Sequence, residues 1–569
     1  MNLGRSVKER EEQLSFVAKA PPVSHYHPAP HHIISLAFLS GHLPASLLSQ
    51  ELARSLWTET EASVVLVGFQ VYDGNTTARD GKPADLFLNG EFHVPSRLLK
   101  TEAGFHSLTL GVKTDDPPSP AGIASLLSHL SRHFRYVLIE TPADEHPPSW
   151  VLELLVRSDL AYVFLQPSAE DVYRLDLAAR EIRAQCRNGG GHVKPIACLA
   201  DGQHMDGFDL LAQRVACPVH LFVRGCPTLT GLKETEPQLS PTGSFHADVR
   251  RLAREVSGRL LGLALSSGAA KGFAHIGVIQ VLEENGIEVD VVAGASMGAY
   301  VGSIWANGAD GPELERLARE LEGRWAFWTL IDPVFPPRQG FLGGFSVKRR
   351  LMRTIGRARF ADLLRPMRVV AGNLATLERV VFSAGEVADA VHASIAVPGI
   401  CVPVAIDGET CIDGGIVDPL PVEVLREMGV ARVIAVDAIP TPDRIRYALE
   451  AERELARHSS KRIRKLFRKV LPLDQQLNYF ARGNLFEILM RSIHGAQIRM
   501  AEASCRMADL VLRPDICDDR WLDYRNPGKF IALGREEAER RLDEIKAIVP
   551  GKEVKNGDQP ASEPVAAIA

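Results

Sequence analysis

At 569 residues, 46% hydrophobic and 24% charged, with a formal net charge of -5, the chain has the composition of an ordinary globular protein and lacks the basic excess of a general nucleic-acid binder. That length exceeds what one hydrophobic core usually supports, so two large domains are expected. No apolar run approaches the ~20 residues that span a bilayer, and the opening MNLGRSVKEREEQLSF carries charges where a signal peptide needs an apolar core, so the expected location is the cytoplasm.

The 8 cysteines show no C-x-x-C spacing and read as reduced, mostly buried thiols. A zinc site would need paired ligands that the spacing does not offer, and no cofactor or metal is expected. Residues 1–30 mix charge, proline and histidines such as His25 and His27 without core-forming periodicity, and read as a mobile lead-in.

From Ile33 the pattern is strand, turn at Gly41, helix (SLLSQELARSL), then a buried-strand run (SVVLVGF). A second run, YVLIETP, is followed by helical VLELLVRSD and by the strand LAYVFLQP, which predicts a parallel sheet covered by helices and an α/β fold. This order resembles the partitioning-ATPase class of P-loop domains. At the loop position, however, the chain reads Ser40-Gly41-His42-Leu43-Pro44-Ala45-Ser46, with Ala45 where that class has its phosphate-reaching lysine. Pro44 removes a backbone donor from any phosphate cradle, and Glu140 stands where the class has Asp. The expectation for residues 31–226 is a degenerate nucleotide-binding-like α/β domain that no longer binds nucleotide, with no protein partner identified for it.

Residues 227–257 begin with a stretch rich in Pro, Thr, Gly and Glu (PTLTGLKETEPQLSPTGSFHA) and are expected to form a linker. A second α/β domain is expected over 258–550, and residues 551–569 are polar and read as a disordered tail.

The second domain opens with two strand–turn–helix units. In the later one, strand VDVVA runs into Gly294-Ala295-Ser296-Met297-Gly298 and then helix AYVGSIW, the context a nucleophile elbow requires. The two glycines permit a tight turn that lifts the Ser296 hydroxyl onto a helix N-terminus. In the earlier unit, Ser266-Ser267-Gly268-Ala269-Ala270-Lys271-Gly272 links strand to helix with small side chains. Its backbone N–H groups either face an oxyanion or simply close a tight turn, and the segment alone does not choose.

With a later Asp413-Gly414-Gly415, these motifs resemble the patatin-like phospholipase family, and the flanking ADAVHASIAVPGICVPV and ARVIAVDA are similar to its central region. The resemblance covers about residues 258–550. A preceding α/β domain makes the chain similar to the neuropathy target esterase branch, without cyclic-nucleotide-binding domains. The resemblance implies a serine acyl hydrolase of three-layer α/β architecture, with Ser296 as nucleophile and Asp413 as base. It assigns oxyanion-hole donors to Gly268, Ala269, Ala270 and Lys271, and a phospholipid or lysophospholipid as substrate. Ser266, Ser267 and Ala269 replace members of the family's glycine run, and Asp418 stands where many relatives carry Asn. A catalytically weak lipid-binding scaffold is the alternative, and a triad through His458 or His494 is the rival chemistry.

Two further stretches bear on lipid. Aromatics between Arg324 and Ser346 (Trp325, Phe327, Trp328, Phe335, Phe341) either cap an acyl pocket or pack as a satellite core. Residues 460–473 combine six cations with an apolar stripe at helical spacing, suited either to peripheral contact with the inner face of a membrane or to packing on the domain.

Overall fold

A computed structural model describes residues 31–39, 41–72, 87–88, 91–92, 99–114, 117–142, 148–185, 192–200, 219–227, 243–322, 329–440, 446, 485–516 and 524–549. The stretches 1–30, 460–473 and 551–569, with His458, Trp325, Phe327 and Trp328, lie outside the described residues.

The first sheet runs in the order Leu221–Val223, Val193–Cys198, Leu160–Leu165, Ile33–Phe38, Tyr136–Glu140, Val64–Tyr72, His106–Lys113. All these neighbours pair parallel, and only Leu99–Lys100 at the edge is antiparallel. Strands covered on both faces need apolar residues at every position, which is why Leu160–Leu165 is buried throughout. The helices Ala45–Thr60 and Ser149–Arg157 fall on the two helical stretches expected from periodicity.

The second sheet is ordered Val404–Ile406, Glu409–Asp413, Met367–Asn373, Val291–Ala295, Leu261–Leu265, Arg432–Val436, Leu510–Leu512. Its centre is parallel, while Glu409–Asp413 pairs antiparallel with Met367–Asn373. That reversal brings the carboxyl end of one strand, at Asp413, beside the turn that follows another, at Ala295.

Part of the expected linker is a helix, Ser244–Val256. Its composition misleads because the Pro-rich run stops just before it, at 242. Phe245, Val249, Leu252 and Val256 fall on one face and belong to a single core cluster with Leu48, Leu52 and Leu56 of the first domain and Ala264 and Val291 of the second sheet. The two sheets therefore share a core across this helix.

Polar contacts tie the helix in as well. The buried Glu255 accepts hydrogen bonds from the Tyr162 hydroxyl (2.7 Å) and His220 Nε2 (2.8 Å), and pairs with Lys194 Nζ. Burial favours the neutral acid, but His220 and Lys194 reverse that and hold Glu255 well below the ordinary carboxylate range. Glu255→Gln keeps the shape and leaves Lys194 without its carboxylate, so thermal unfolding should show a loss of about 3 kcal/mol near pH 7. Because the folded-state pKa is depressed, that contribution is present above the ordinary value of 4.5, and the gap to the wild type should close as pH falls below it.

Candidate active site

Ser296 sits between strand Val291–Ala295 and helix Met297–Ala306, with φ 52° and ψ -118°. A side chain at positive φ is strained by about 1–3 kcal/mol, and the surroundings must enforce it. They do so through close packing and one hydrogen bond. A Cβ on Gly294 would lie 2.6 Å from the Gly298 carbonyl carbon, and one on Gly298 would lie 2.2 Å from the Leu265 oxygen. The Ser296 N–H donates to Ser394 Oγ at 2.8 Å, and that hydroxyl in turn donates to the Val370 carbonyl at 2.6 Å. Ser394 is fully buried and was not singled out from the sequence. Its only signal is a small polar residue at the end of the apolar helix Val387–Ser394.

The Ser296 hydroxyl donates to Asp413 Oδ2 at 2.6 Å. The second carboxylate oxygen, Oδ1, accepts from the Gly415 N–H at 2.7 Å, and the Asp413 N–H is held by the Ala396 carbonyl. Gly414 has no room for a side chain, since a Cβ there would come 2.1 Å from the Val370 oxygen. Asp413 is 2% exposed and Ser296 8%. Burial raises the Asp413 pKa to about 6, against the opposing pull of its hydrogen bonds from Ser296 and Gly415. Among the described residues no histidine bonds Ser296 or Asp413, and His494 lies half-buried on helix Leu485–Cys505, so the triad through His494 is not assembled. Gln497 of the same helix reaches the Asp-Gly-Gly turn, where a Cβ on Gly415 would meet its Nε2 at 2.8 Å.

Residues Ala269–Phe273 form a 3-10 turn after strand Leu261–Leu265. The N–H groups of Gly268, Ala269 and Ala270 meet no acceptor among the described residues, whereas the Lys271 N–H donates to the Gly268 carbonyl at 3.1 Å. Lys271 therefore departs from the expectation: the turn itself uses its donor. Below the turn, the His275 ring donates from Nε2 to the Ser266 carbonyl at 2.9 Å, and burial lowers its pKa to about 4, so it serves the loop as a neutral strut. Asp418 is taken up by Arg379 at 3.2 Å.

The aromatic stretch does not line a closed pocket in its described part. Phe335 is 94% exposed and Phe341 is 44% exposed. Backbone bonds from Phe341 and Leu342 to the Ile400 carbonyl hold this part of the loop along the segment before Val402. Cys401 and Tyr524 stand close enough to Asp413 for its charge to push both their pKa values up, in addition to the larger effect of burial.

Ala269 has φ 49°, a region that costs an L-residue with a Cβ about 1 kcal/mol. Ala269→Gly should therefore raise stability, by up to about 1 kcal/mol less the entropy cost of glycine, and chemical or thermal unfolding of the two proteins would read the difference.

The family model described as patatin-like phospholipase matches residues 263–426, a span that contains Gly268, Ser296, Ser394 and Asp413. The lysophospholipase NTE1 of Pyricularia oryzae is 33% identical over 202 residues, 35% of this chain and 13% of that protein. That of Saccharomyces cerevisiae is 31% identical over 214 residues, 37% of this chain and 13% of its own length. The chain thus spans 13% of either curated relative. Among solved structures, a ParA family ATPase from Chlorobium tepidum is similar over 40% of this chain and 98% of its own, at 11% identity and a TM-score of 0.28.

Proposed function

We propose that this chain, whose second domain belongs to the patatin-like phospholipase family in the branch of the NTE1 lysophospholipases, is a serine acyl hydrolase that cleaves fatty-acyl esters of phospholipids or lysophospholipids. The observation that carries the reading is the 2.6 Å hydrogen bond from a serine on a strained elbow directly to a buried carboxylate. A carboxylate in contact with the nucleophile needs no imidazole between them to accept its proton.

The geometry supports the following steps. Asp413 Oδ2 takes the Ser296 proton as Oγ bonds to the ester carbonyl carbon. The oxyanion so formed faces the unoccupied N–H groups of Gly268, Ala269 and Ala270, donors whose removal typically costs ~100- to 1,000-fold in rate. Collapse expels the alcohol oxygen, which leaves with the proton from Asp413. Water then attacks the acyl-enzyme while Asp413 accepts its proton, and the fatty acid departs as Ser296 Oγ recovers that proton. The Gly415 N–H on Oδ1 keeps Oδ2 turned toward serine throughout.

Two features support a lipid as the substrate. The exposed Phe335 and Phe341 lie on the loop bonded to Ile400, the segment that leads to Cys401 beside Asp413. The relatives' printed activity is that of lysophospholipases. Peripheral contact with a membrane, with the basic stretch 460–473 as a second element, belongs to the same reading.

A fluorophosphonate probe should label the wild type, and labelling should vanish in Ser296→Ala together with fatty-acid release from mixed phospholipid and lysophospholipid micelles. Asp413→Asn should lower the release rate by about 100- to 10,000-fold while leaving the fold intact by circular dichroism. Persistent labelling of Ser296→Ala would place the nucleophile elsewhere.

Asp413 must be ionised to accept the proton, and its pKa is raised to about 6. The rate should therefore climb as pH rises through about 6 and level off above it. A kcat/KM profile between pH 4.5 and 8.5 reads this directly, and a rate flat from pH 4.5 upward would contradict a base in this buried environment.

A further inference from the structure

A cavity of about 580 Å³, whose lining includes neither Ser296 nor Asp413, opens between the two domains, within the range typical of small-molecule sites. The start of strand Val193–Cys198 and the segment at Val219 form one wall. Strand Arg379–Phe382, the hairpin around Ile406 and helix Val422–Glu427 form the other. Much of the lining is apolar, including Val193, Val219, Val380, Phe382, Ile406 and Met428.

One charge stands out within it. Arg368 lines the cavity and is 8% exposed, yet among the described residues no carboxylate pairs with it. Its partners are two carbonyls: Nη1 donates to Met367 (3.0 Å) and Nη2 to His220 (2.8 Å). A guanidinium has five N–H donors, so three remain. Burial lowers its pKa to about 10, which leaves it charged at neutral pH. Buried charges in proteins are ordinarily paired, because desolvation without a counter-charge costs several kcal/mol per ion. The cavity's other cation is not spare, since Lys194 is committed to Glu255. Glu427 is paired with Arg379, and Asp407 and Glu409 stand exposed at the hairpin.

We propose that this cleft binds a monoanionic amphiphile of the fatty-acid class, with its carboxylate on Arg368 and its chain against the apolar walls. A single buried cation neutralises a single negative charge, and the guanidinium fork matches a carboxylate. The acidic rim repels a head group of higher charge. A long-chain carboxylate is also what the proposed reaction releases, so the cleft is a place where product reports back on the enzyme through the domain interface. That regulatory link rests on the hydrolase reading, whereas the binding site itself does not.

The test uses the full chain carrying Ser296→Ala, titrated by calorimetry with sodium oleate below its micellar concentration, with oleyl alcohol as the uncharged control and oleoyl-lysophosphatidate as the more highly charged one. Oleate should bind, Arg368→Met should weaken it by about 10- to 100-fold while leaving oleyl alcohol unchanged, and oleoyl-lysophosphatidate should bind more weakly than oleate. Without ligand, Arg368→Met should melt no lower than its parent, because it removes an unpaired buried charge. Ile406→Trp, which fills the cavity from the half-exposed hairpin and leaves Arg368 in place, should weaken oleate and oleyl alcohol alike. Oleate affinity unmoved by either substitution would overturn the site, as would a parent that binds no oleate. Tighter binding of oleoyl-lysophosphatidate would overturn the monoanion assignment. Since every arm carries Ser296→Ala, a failure of the hydrolase reading is registered separately, in the labelling experiment.

Discussion

The hydrogen bond between Ser296 and Asp413 is the constraint around which the second domain is arranged. It joins residues 117 positions apart, from strands that are not neighbours in the sheet, and it survives only if both turns are held to within tenths of an ångström. Strand Met367–Asn373 lies between the two and serves both. Its Val370 carbonyl anchors Ser394, which holds the Ser296 N–H, and the same carbonyl leaves no space for any residue but glycine at 414. One backbone oxygen thus helps to set the positions of Ser296 and Asp413 together. The dry surroundings that raise the Asp413 pKa also strengthen the bond, since a low local dielectric magnifies each polar contact.

The first domain is joined to this arrangement by burial. Helix Ser244–Val256 shares apolar contacts with both sheets, and Glu255 gathers Tyr162, Lys194 and His220 around one carboxylate. Arg259 reaches the Glu59 carbonyl, and Arg224 reaches that of Leu363. Lys194 and His220 line the cleft that holds Arg368, so the charges stabilising the interface and a cation with no carboxylate partner among the described residues belong to one neighbourhood. A ligand seated there would touch both domains.

How much of this was legible in the sequence depended on distance along the chain. The elbow, the small-residue turn and the Asp-Gly-Gly motif were readable because their chemistry demands particular residues within five or six positions. The central strands were readable because double-sided burial writes a continuous apolar run. Ser394, Gln497 and Arg368 were not, since each acts across the fold on a residue or surface that no local pattern announces. Helix Ser244–Val256 was hidden by its neighbours' composition, although its apolar residues recur at spacings of three and four. The sequence offers Lys271 as a donor like its neighbours, because spacing cannot tell an open N–H from one that a 3-10 turn has already used.

The contact between Gly298 and the Leu265 oxygen has a counterpart at Gly272, where a Cβ would lie 2.5 Å from Met297 Cγ. The small-residue turn and the elbow are therefore packed against each other at two points, both at the residues that follow Ser296. In the proposed hydrolase the N–H groups of Gly268, Ala269 and Ala270 would stand in place before charge appears on the substrate, so that little reorganisation energy would be added to the barrier as it develops. Under the same reading, adaptation to different acyl chains would fall to the exposed loop that carries Phe335 and Phe341, apart from the packed centre.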